Sequence, residues 1–190
     1  MNIRAALDAG ITWVQLRYKH AAQDAVLALA ETVKPYCQQY NAMFIINDWV
    51  PVAQAVDADG VHLGLTDSPV KHARDVLGYS RIIGGTANTL EDINQRVAEG
   101  CDYIGVGPFR FTSTKEKLSP IVGLEGYRQL IGALHADAHL VPLYAIGGVT
   151  VDDAAALRMA GLYGVCLSGG ITGALDKRET VRLLHERMYG

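Results

Sequence analysis

The chain has 190 residues, a length that suits a single domain. Hydrophobic residues make up 49% of it and charged residues 19%, which excludes a disordered protein and predicts a large buried core. Seventeen Lys and Arg stand against 20 Asp and Glu, a net charge of −3, so the chain offers no broad basic surface for nucleic acid.

The apolar runs of the sequence are short. None approaches the ~18 residues that a membrane-spanning helix needs, and the first residues lack the apolar stretch of a signal peptide. We therefore expect a cytoplasmic protein with no membrane partner.

A helix is predicted over residues 3–9, and from there apolar runs alternate with stretches of helical spacing. The helical stretches include Ala25, Leu29, Val33 and Tyr36 on one predicted face. The apolar runs show little polar alternation, as in strands buried on both faces of a parallel sheet. Seven such strands are predicted, over residues 12–16, 43–46, 60–63, 81–83, 102–106, 140–146 and 163–167.

Helix boundaries carry the expected signals. Thr89 and Thr150 each precede a first turn that contains carboxylates, as N-cap residues do. Glycines stand at predicted helix ends, at Gly10, Gly78, Gly100 and Gly161.

Repeated βα units without a linker predict one domain over residues 1–190. They allow either an open doubly wound sheet or a closed (β/α)8 barrel, and local periodicity does not decide between the two. The GxGxxG pattern of an open dinucleotide fold is absent. Polar residues follow nearly every predicted strand, which is how barrel enzymes place their active sites and which favours the barrel.

Two glycine pairs near the end of the chain predict a phosphate site. Gly147-Gly148 and Ser168-Gly169-Gly170 place bare backbone amides beside helix starts, where N–H groups attract an anion. Barrels commonly bind phosphate after their seventh and eighth strands. Plain tight turns are the alternative explanation.

Charged residues near the start of the chain indicate a polyanion and a metal ion. Arg17 and Lys19 project to the same side of an extended segment. Asp48 and Asp67 end two successive strand units, and Mg²⁺ beside substrate phosphates needs one or two carboxylates. Alternatively, Asp48 caps the helix that begins near Val50, and we expect His62 to be a packed strand residue.

The connection over residues 107–115 is long and polar, as functional loops are. Thr112, Thr114 and Lys115 within it could bind phosphate or carboxylate oxygens and hold a departing pyrophosphate.

These motifs, in this order, resemble the thiamine-phosphate synthase family nearly from end to end. The matching pieces are VQLRYK at 14–19, IND at 46–48, DGVHLG with the following Asp at 59–67, YIGVGP with TSTK at 103–115, AIGGV at 145–149, and Ser168. The resemblance implies a (β/α)8 barrel that joins 4-amino-5-hydroxymethyl-2-methylpyrimidine pyrophosphate to a thiazole phosphate, with Mg²⁺. It also implies a dissociative mechanism, in which a pyrimidine carbocation forms and the thiazole nitrogen captures it.

The resemblance further implies a role for each matching residue. Small molecules would be the only substrates or ligands. Arg17, Lys19 and Lys115 would hold pyrophosphate, and Asp48 with Asp67 would bind Mg²⁺. Gln15 and Asn47 would contact the pyrimidine substrate, and Thr86 would keep the hydroxyl of a family serine. Thr112 and Thr114 would contact the thiazole substrate, whose phosphate would be held by the amides of Gly148 and Ser168.

The chain also departs from the family. Trp49 stands where the family often has Arg, so a helper cation is lost. The related thiazole tautomerase is an alternative, but it typically lacks the metal carboxylates and the TxTK loop, and it has a histidine where this chain has Asn88. A non-catalytic barrel that binds a phosphate compound is a second alternative, and a structural or regulatory barrel is a third.

Family barrels begin with a strand that precedes the helix predicted at residues 3–9. We therefore expect a barrel that lacks its first strand, with open edges that favour a homo-oligomer or lower stability than a chain extended upstream.

Overall fold

The computed structural model describes residues 2–111, 120–134 and 140–190. Helices and strands alternate along the chain, and the strands lie in one sheet whose order follows the sequence. The strands are β1 (Trp13–Leu16), β2 (Met43–Asn47), β3 (Gly60–Leu63), β4 (Ile82–Ala87), β5 (Tyr103–Val106), β6 (Leu143–Ala145) and β7 (Gly164–Val165). The helices are α1 (Asn2–Asp8), α2 (Gln23–Gln39), α3 (Val50–Ala55), α4 (Val70–Leu77), α5 (Leu90–Ala98), α6 (Gly123–Gly132), α7 (Ala154–Met159), α8 (Gly169–Thr172) and α9 (Lys177–Tyr189).

All seven predicted strands are confirmed. The pairs β1–β2, β2–β3, β5–β6 and β6–β7 are parallel. Strand β4 differs most from its prediction, because it continues to Ala87 instead of ending at residue 83. Thr86, predicted to follow the strand, is therefore a buried residue inside it. The glycines at 84 and 85 hid this extension, since glycine is depleted in strands.

By contacts the chain divides into two compact units, Met1–Gly84 and Gly85–Gly190. The single domain over residues 1–190 stays a prediction. In the first unit, Phe44, Ile45 and Ile46 of β2 are fully buried, as are Val61 and Leu63 of β3. These continuous apolar strands are covered on both faces, which is what their composition predicts.

Helix α2 packs in the first unit along a stripe of Val26, Ala30, Val33 and Cys37. The predicted apolar face shares only Val33 with this buried stripe, and its other members lie one position before the residues that are buried. The helix was therefore predicted correctly, but its buried face was wrong. Ala25 is exposed. Alanines occur on several sides of this helix, and because alanine is small and apolar it is found on both buried and exposed faces. The positions of the alanines therefore do not show which face is buried.

The second unit is built in the same way around β5 and β6. Ile104, Val106 and Ala145 are buried, and Tyr127 of α6 is buried against them with its hydroxyl donating to the Val106 carbonyl at 2.6 Å. The hydrogen bond satisfies the one polar atom that this aromatic side chain brings into the core.

The predicted helix boundaries are confirmed. Thr89 and Asp92 form a reciprocal capping box at α5, and Thr150 and Asp153 form another at the 3-10 turn Val151–Asp153 before α7. The predicted helix-ending glycines all have positive φ, which other residues adopt only with strain: Gly10, Gly78, Gly100 and Gly161. Within the described residues, none of the helices combines the length and apolar character needed to cross a bilayer.

Candidate functional site

Asp48 stands directly after β2 in a left-handed backbone conformation, with φ of 67°. Its N–H donates to the carbonyl of His62 in β3 at 2.8 Å, which ties the residue to the neighbouring strand. Helix α3 has Trp49 at its N-cap and no side-chain cap, so the interpretation of Asp48 as a helix cap is wrong. The Asp48 carboxylate is thereby left for other contacts.

Asp67 follows β3 and is held by a short turn. Its Oδ2 accepts from the N–H of Gly64 at 2.5 Å, and its own N–H donates back to the Gly64 carbonyl at 3.3 Å. A Cβ at position 64 would lie 2.6 Å from Oδ2, so a side chain there would displace the carboxylate. Gly64 thus fixes where the Asp67 charge lies.

The two carboxyl groups lie close enough to shift each other's pKa, and Lys19 pairs with one of them, its Nζ 2.8 Å from Asp48 Oδ2. Burial, together with Asp67, raises the pKa of Asp48 to about 6, although Lys19 opposes this. Burial also works to raise the pKa of Asp67, but the interaction with Asp48 and the hydrogen bond from the Gly64 N–H outweigh it and lower that pKa. Asp67 therefore ionises before Asp48 as the pH rises.

This pair opens into a cavity of about 300 Å³ in the first unit. The cavity is partly polar, and its lining residues are Tyr18, Lys19, His20, Ala21, Asp48, Trp49, Asp67 and Ser68. Three predicted site residues, Lys19, Asp48 and Asp67, are therefore brought together at one place. Trp49 adds an aromatic surface to the cavity and no charge.

The donor set fits a hard divalent cation. A metal ion can displace a proton from a carboxyl group, and Mg²⁺ commonly uses one or two protein carboxylates with waters and substrate phosphates. The part of the chain that the structure describes holds no group of three or more His, Cys, Asp or Glu side chains placed for a metal. The pair thus suits a cation that shares its coordination with a substrate, and not a closed structural site.

The other predicted residues of the first unit lie on or next to the strands. Gln15 Nε2 donates to Asn47 Oδ1 at 3.2 Å, so these two polar side chains form a pair across β1 and β2. Arg17 is exposed immediately after β1. His62 is buried within β3, as predicted for a packed strand residue.

In the second unit, the turn after β6 is formed by Gly147 and Gly148, with φ of 81° and 73°. A Cβ on Gly147 would lie 2.8 Å from Pro108 Cβ, and one on Gly148 would lie 2.9 Å from Arg110 Cβ. Both the backbone conformation and the close approach of the preceding loop therefore require glycine.

The turn after β7 lies beside this one. A Cβ on Gly170 would come within 4.0 Å of the Val149 carbonyl. Ser168 is exposed at the N-cap of α8, where its carbonyl accepts from the N–H of Thr172 at 2.9 Å. The two glycine turns that the sequence predicted to act together are thus adjacent.

Thr86 is fixed inside β4, where its carbonyl accepts from Nε of the buried Arg96 at 3.2 Å. Asn88 follows the strand, and its side-chain amide donates to the Gly107 carbonyl. The remaining predicted residues, Thr112, Thr114 and Lys115, lie outside the described residues.

Sequence reasoning missed Arg110 and Asp153. The guanidinium of Arg110 makes two hydrogen bonds to the Asp153 carboxylate, both 2.5 Å, and a third to the Gly148 carbonyl at 3.1 Å. The two residues are 43 positions apart, and no local pattern joins them. Their positions after β5 and β6, which are neighbours in the sheet, were the one available signal.

Comparisons with known proteins agree on one family. A family model described as thiamine monophosphate synthase matches residues 1–171. The thiamine-phosphate synthase of Flavobacterium psychrophilum is 48% identical over 188 residues, which cover 99% of this chain and 91% of that protein. That of Bacteroides fragilis is 45% identical over 185 residues, covering 97% of this chain and 91% of the relative.

A solved structure gives the same answer. The thiamine phosphate pyrophosphorylase from Pyrococcus furiosus superposes with a TM-score of 0.84 at 32% identity, covering 98% of this chain and 87% of that one. The predicted fold class, an α/β fold of the TIM-barrel type with seven strands, is confirmed by this match and by the observed strands. The chain belongs to the thiamine monophosphate synthase family.

Proposed function

We propose that this protein is a thiamine-phosphate synthase that joins 4-amino-5-hydroxymethyl-2-methylpyrimidine pyrophosphate to a thiazole phosphate, giving thiamine phosphate and pyrophosphate. The observation that carries this proposal is the cluster of Lys19, Asp48 and Asp67 around one cavity. A protein that bound only a phosphate monoester would need the glycine turns of the second unit and would leave this cluster without use.

The chemistry has no acid or base step to perform. The bond between the pyrimidine methylene carbon and the pyrophosphate oxygen breaks, and its electron pair leaves with the pyrophosphate. The lone pair of the thiazole nitrogen then forms the new bond to the methylene carbon. Catalysis by such a site consists of holding the substrates and of stabilising the charge that develops on the leaving group.

In the first unit, the Lys19 ammonium lies at the cavity wall, where it would pair with a pyrophosphate oxygen. Asp48 and Asp67 would hold Mg²⁺, which supplies neutralisation of the leaving group's charge when bound. Arg17, exposed after the same strand as Lys19, would add a second cation. The Gln15–Asn47 pair offers donors and acceptors of fixed geometry, which suits the polar edge of a pyrimidine.

In the second unit, the amides of Gly148 and Ser168 would hold the phosphate of the thiazole substrate. The part of the chain that the structure describes contains no acceptor for the N–H of Gly148. From the family resemblance we assign Lys115 to the pyrophosphate and Thr112, Thr114 and Thr86 to substrate contacts. The substrates are small molecules, and neither nucleic acid nor a membrane has a role in the proposal. A cytoplasmic location and homo-oligomer formation are also part of it.

The test pairs an activity assay with a binding measurement. Purified protein is incubated with both substrates and Mg²⁺, and thiamine phosphate and pyrophosphate are quantified, while calorimetry follows binding of the pyrimidine pyrophosphate. We expect equal amounts of both products. Binding without turnover would replace the synthase with a non-catalytic phosphate-compound binding protein.

A further inference from the structure

Arg110 lies against the turn that carries the proposed phosphate site. Its backbone N–H donates to the Gly147 carbonyl at 3.0 Å, and its Nη1 donates to the Gly148 carbonyl at 3.1 Å. Two successive carbonyls of the glycine turn are thus held by one residue.

Peptide geometry converts these contacts into an orientation of the amides. In a trans peptide the C=O and N–H point in opposite directions. The Gly147 carbonyl shares its peptide with the Gly148 N–H, and the Gly148 carbonyl shares its peptide with the Val149 N–H. Because Arg110 holds both carbonyls on one side, both N–H groups are turned to the other side. Neither has an acceptor among the described residues. Successive N–H groups that converge in this way form an anion cradle.

Asp153 keeps the Arg110 side chain in this position. Its carboxylate accepts two hydrogen bonds from the guanidinium and also accepts from the N–H and the hydroxyl of Thr150, at 2.8 and 2.7 Å. The Arg110 guanidinium, with smaller help from Thr150, lowers the pKa of Asp153 to about 2, so the carboxylate stays charged in neutral solution.

An aromatic contact also holds the Arg110 side chain in place. Its guanidinium lies over the ring of Phe109, 4.4 Å from the centroid, and Phe109 stacks on the buried Tyr127 at 6.0 Å. A cation seated on an aromatic ring and paired with a carboxylate has little freedom to swing toward a ligand.

We propose that Arg110 is a positioning residue for the phosphate of the thiazole substrate. Its backbone N–H holds the Gly147 carbonyl and so orients the Gly148 amide, its guanidinium holds the Gly148 carbonyl and so orients the Val149 amide, and the side chain does not itself bind the phosphate. The inference rests on the proposed function, since it deepens the assignment of that site. It predicts that the loss of Arg110 weakens recognition of the phosphate group alone.

The experiment compares two substrates that differ only in that group. Arg110→Met removes the guanidinium and keeps an unbranched apolar side chain over Phe109. We expect the KM for the thiazole phosphate to rise about tenfold or more, as for a lost charge-assisted hydrogen bond, while the KM for the pyrimidine pyrophosphate changes less than about twofold. With the thiazole alcohol, which has no phosphate, kcat/KM should stay at the wild-type value.

Arg128→Met is the matched control, because Arg128 also pairs with a carboxylate, that of Glu125, on the exposed surface of α6 in the same unit. It should leave all three constants unchanged. Asp153→Asn, which keeps an acceptor for Thr150, should raise the KM for the thiazole phosphate, as Arg110→Met does. If Arg110→Met does not fold, the Asp153→Asn variant tests the proposal in its place. An equal loss of kcat/KM with both thiazole substrates, or an unchanged KM for the thiazole phosphate, would overturn the proposal.

Failure of the proposed function has a different signature. If the wild-type protein forms no thiamine phosphate, the synthase assignment is wrong, and binding of the thiazole phosphate measured by calorimetry then decides the role of Arg110. Binding about tenfold weaker in Arg110→Met than in the wild type supports that role. Equal binding contradicts it.

Discussion

Asp48 and Asp67 line one cavity, although they follow different strands and lie 19 residues apart in the sequence. Each is held in place by a backbone contact of its own, to the His62 carbonyl for Asp48 and from the Gly64 N–H for Asp67. Two neighbouring carboxyl groups are unfavourable when both are charged, and either a proton or a cation relieves the repulsion. Three of the predictions below concern the charges of this site and of the residues proposed to act with it.

The first prediction concerns Asp67→Asn. The variant keeps the size and a hydrogen-bond acceptor but loses the charge that would hold a metal ion against the leaving group. We expect turnover to fall about a hundredfold or more when Mg²⁺ is limiting, measured as thiamine phosphate formed over time. Asp75→Asn, which breaks an exposed pair with Lys71 in α4, is the control and should be as active as the wild type. Wild-type turnover of Asp67→Asn at limiting Mg²⁺ would show the metal assignment to be wrong.

The second prediction concerns pH. The pKa of Asp48 is raised to about 6, so in the folded protein its proton competes with a cation below that pH and is gone above it. Because this pKa exceeds the unfolded value, Asp48 alone destabilises the fold as pH rises from about 4 to about 6. Bound Mg²⁺ should offset that loss, so the Mg²⁺-induced rise in Tm should be larger at about pH 8 than at about pH 5. An equal rise at both values would mean that Asp48 does not take part.

The third prediction concerns Lys115→Ala. A cation that pairs with the pyrophosphate as its charge develops stabilises the transition state more than the bound substrate. We therefore expect kcat to fall by a larger factor than KM for the thiazole phosphate rises, in steady-state kinetics with both substrates. A change confined to KM would assign Lys115 to ground-state binding.

The fourth prediction concerns the tautomerase alternative. Position 88 holds an asparagine, whose amide donates to the Gly107 carbonyl and cannot carry a proton between substrate atoms near neutral pH. Deuterium in the thiazole phosphate tautomer should therefore not wash out in the presence of the protein. Washout at substoichiometric protein that persists in Asp67→Asn would make the tautomerase the better assignment.

The fifth prediction concerns stability. A Cβ on Gly60 would lie 2.1 Å from the backbone carbonyl oxygen of Ile82, inside the sheet, where neither atom can move without shifting a strand. Gly60→Ala should lower the free energy of unfolding by at least about 2 kcal/mol, measured by denaturant titration. Gly132→Ala at the end of α6 is the control, because a Cβ there meets nothing within 4 Å, and it should raise stability by up to about 1 kcal/mol. A free energy of unfolding for Gly60→Ala that equals or exceeds the wild-type value would contradict the steric argument.

The strands could be predicted because a parallel strand buried on both faces is a continuous apolar run, as at Phe44, Ile45 and Ile46. The same argument placed Asp48 and Asp67 at neighbouring strand ends and so predicted their proximity. It could not predict the raised pKa of Asp48, since that depends on burial and on the closeness of Asp67. Nor could it predict the pairing of Arg110 with Asp153, because two residues that are 43 positions apart form no local sequence pattern. The substrates were predicted from the family resemblance, because the spacing of apolar residues carries no information about a substrate.

Two requirements restrict the amino acid at position 48: the left-handed backbone conformation and the negative charge of the side chain. Glycine, asparagine and aspartate adopt such a φ most readily, and aspartate alone among them carries a negative charge. Glutamate has the charge but not the tolerance for this conformation, so the usual exchange between the two acids is not conservative here. Asparagine is consequently the informative replacement, because alanine would combine the loss of charge with backbone strain and the two effects could not be separated.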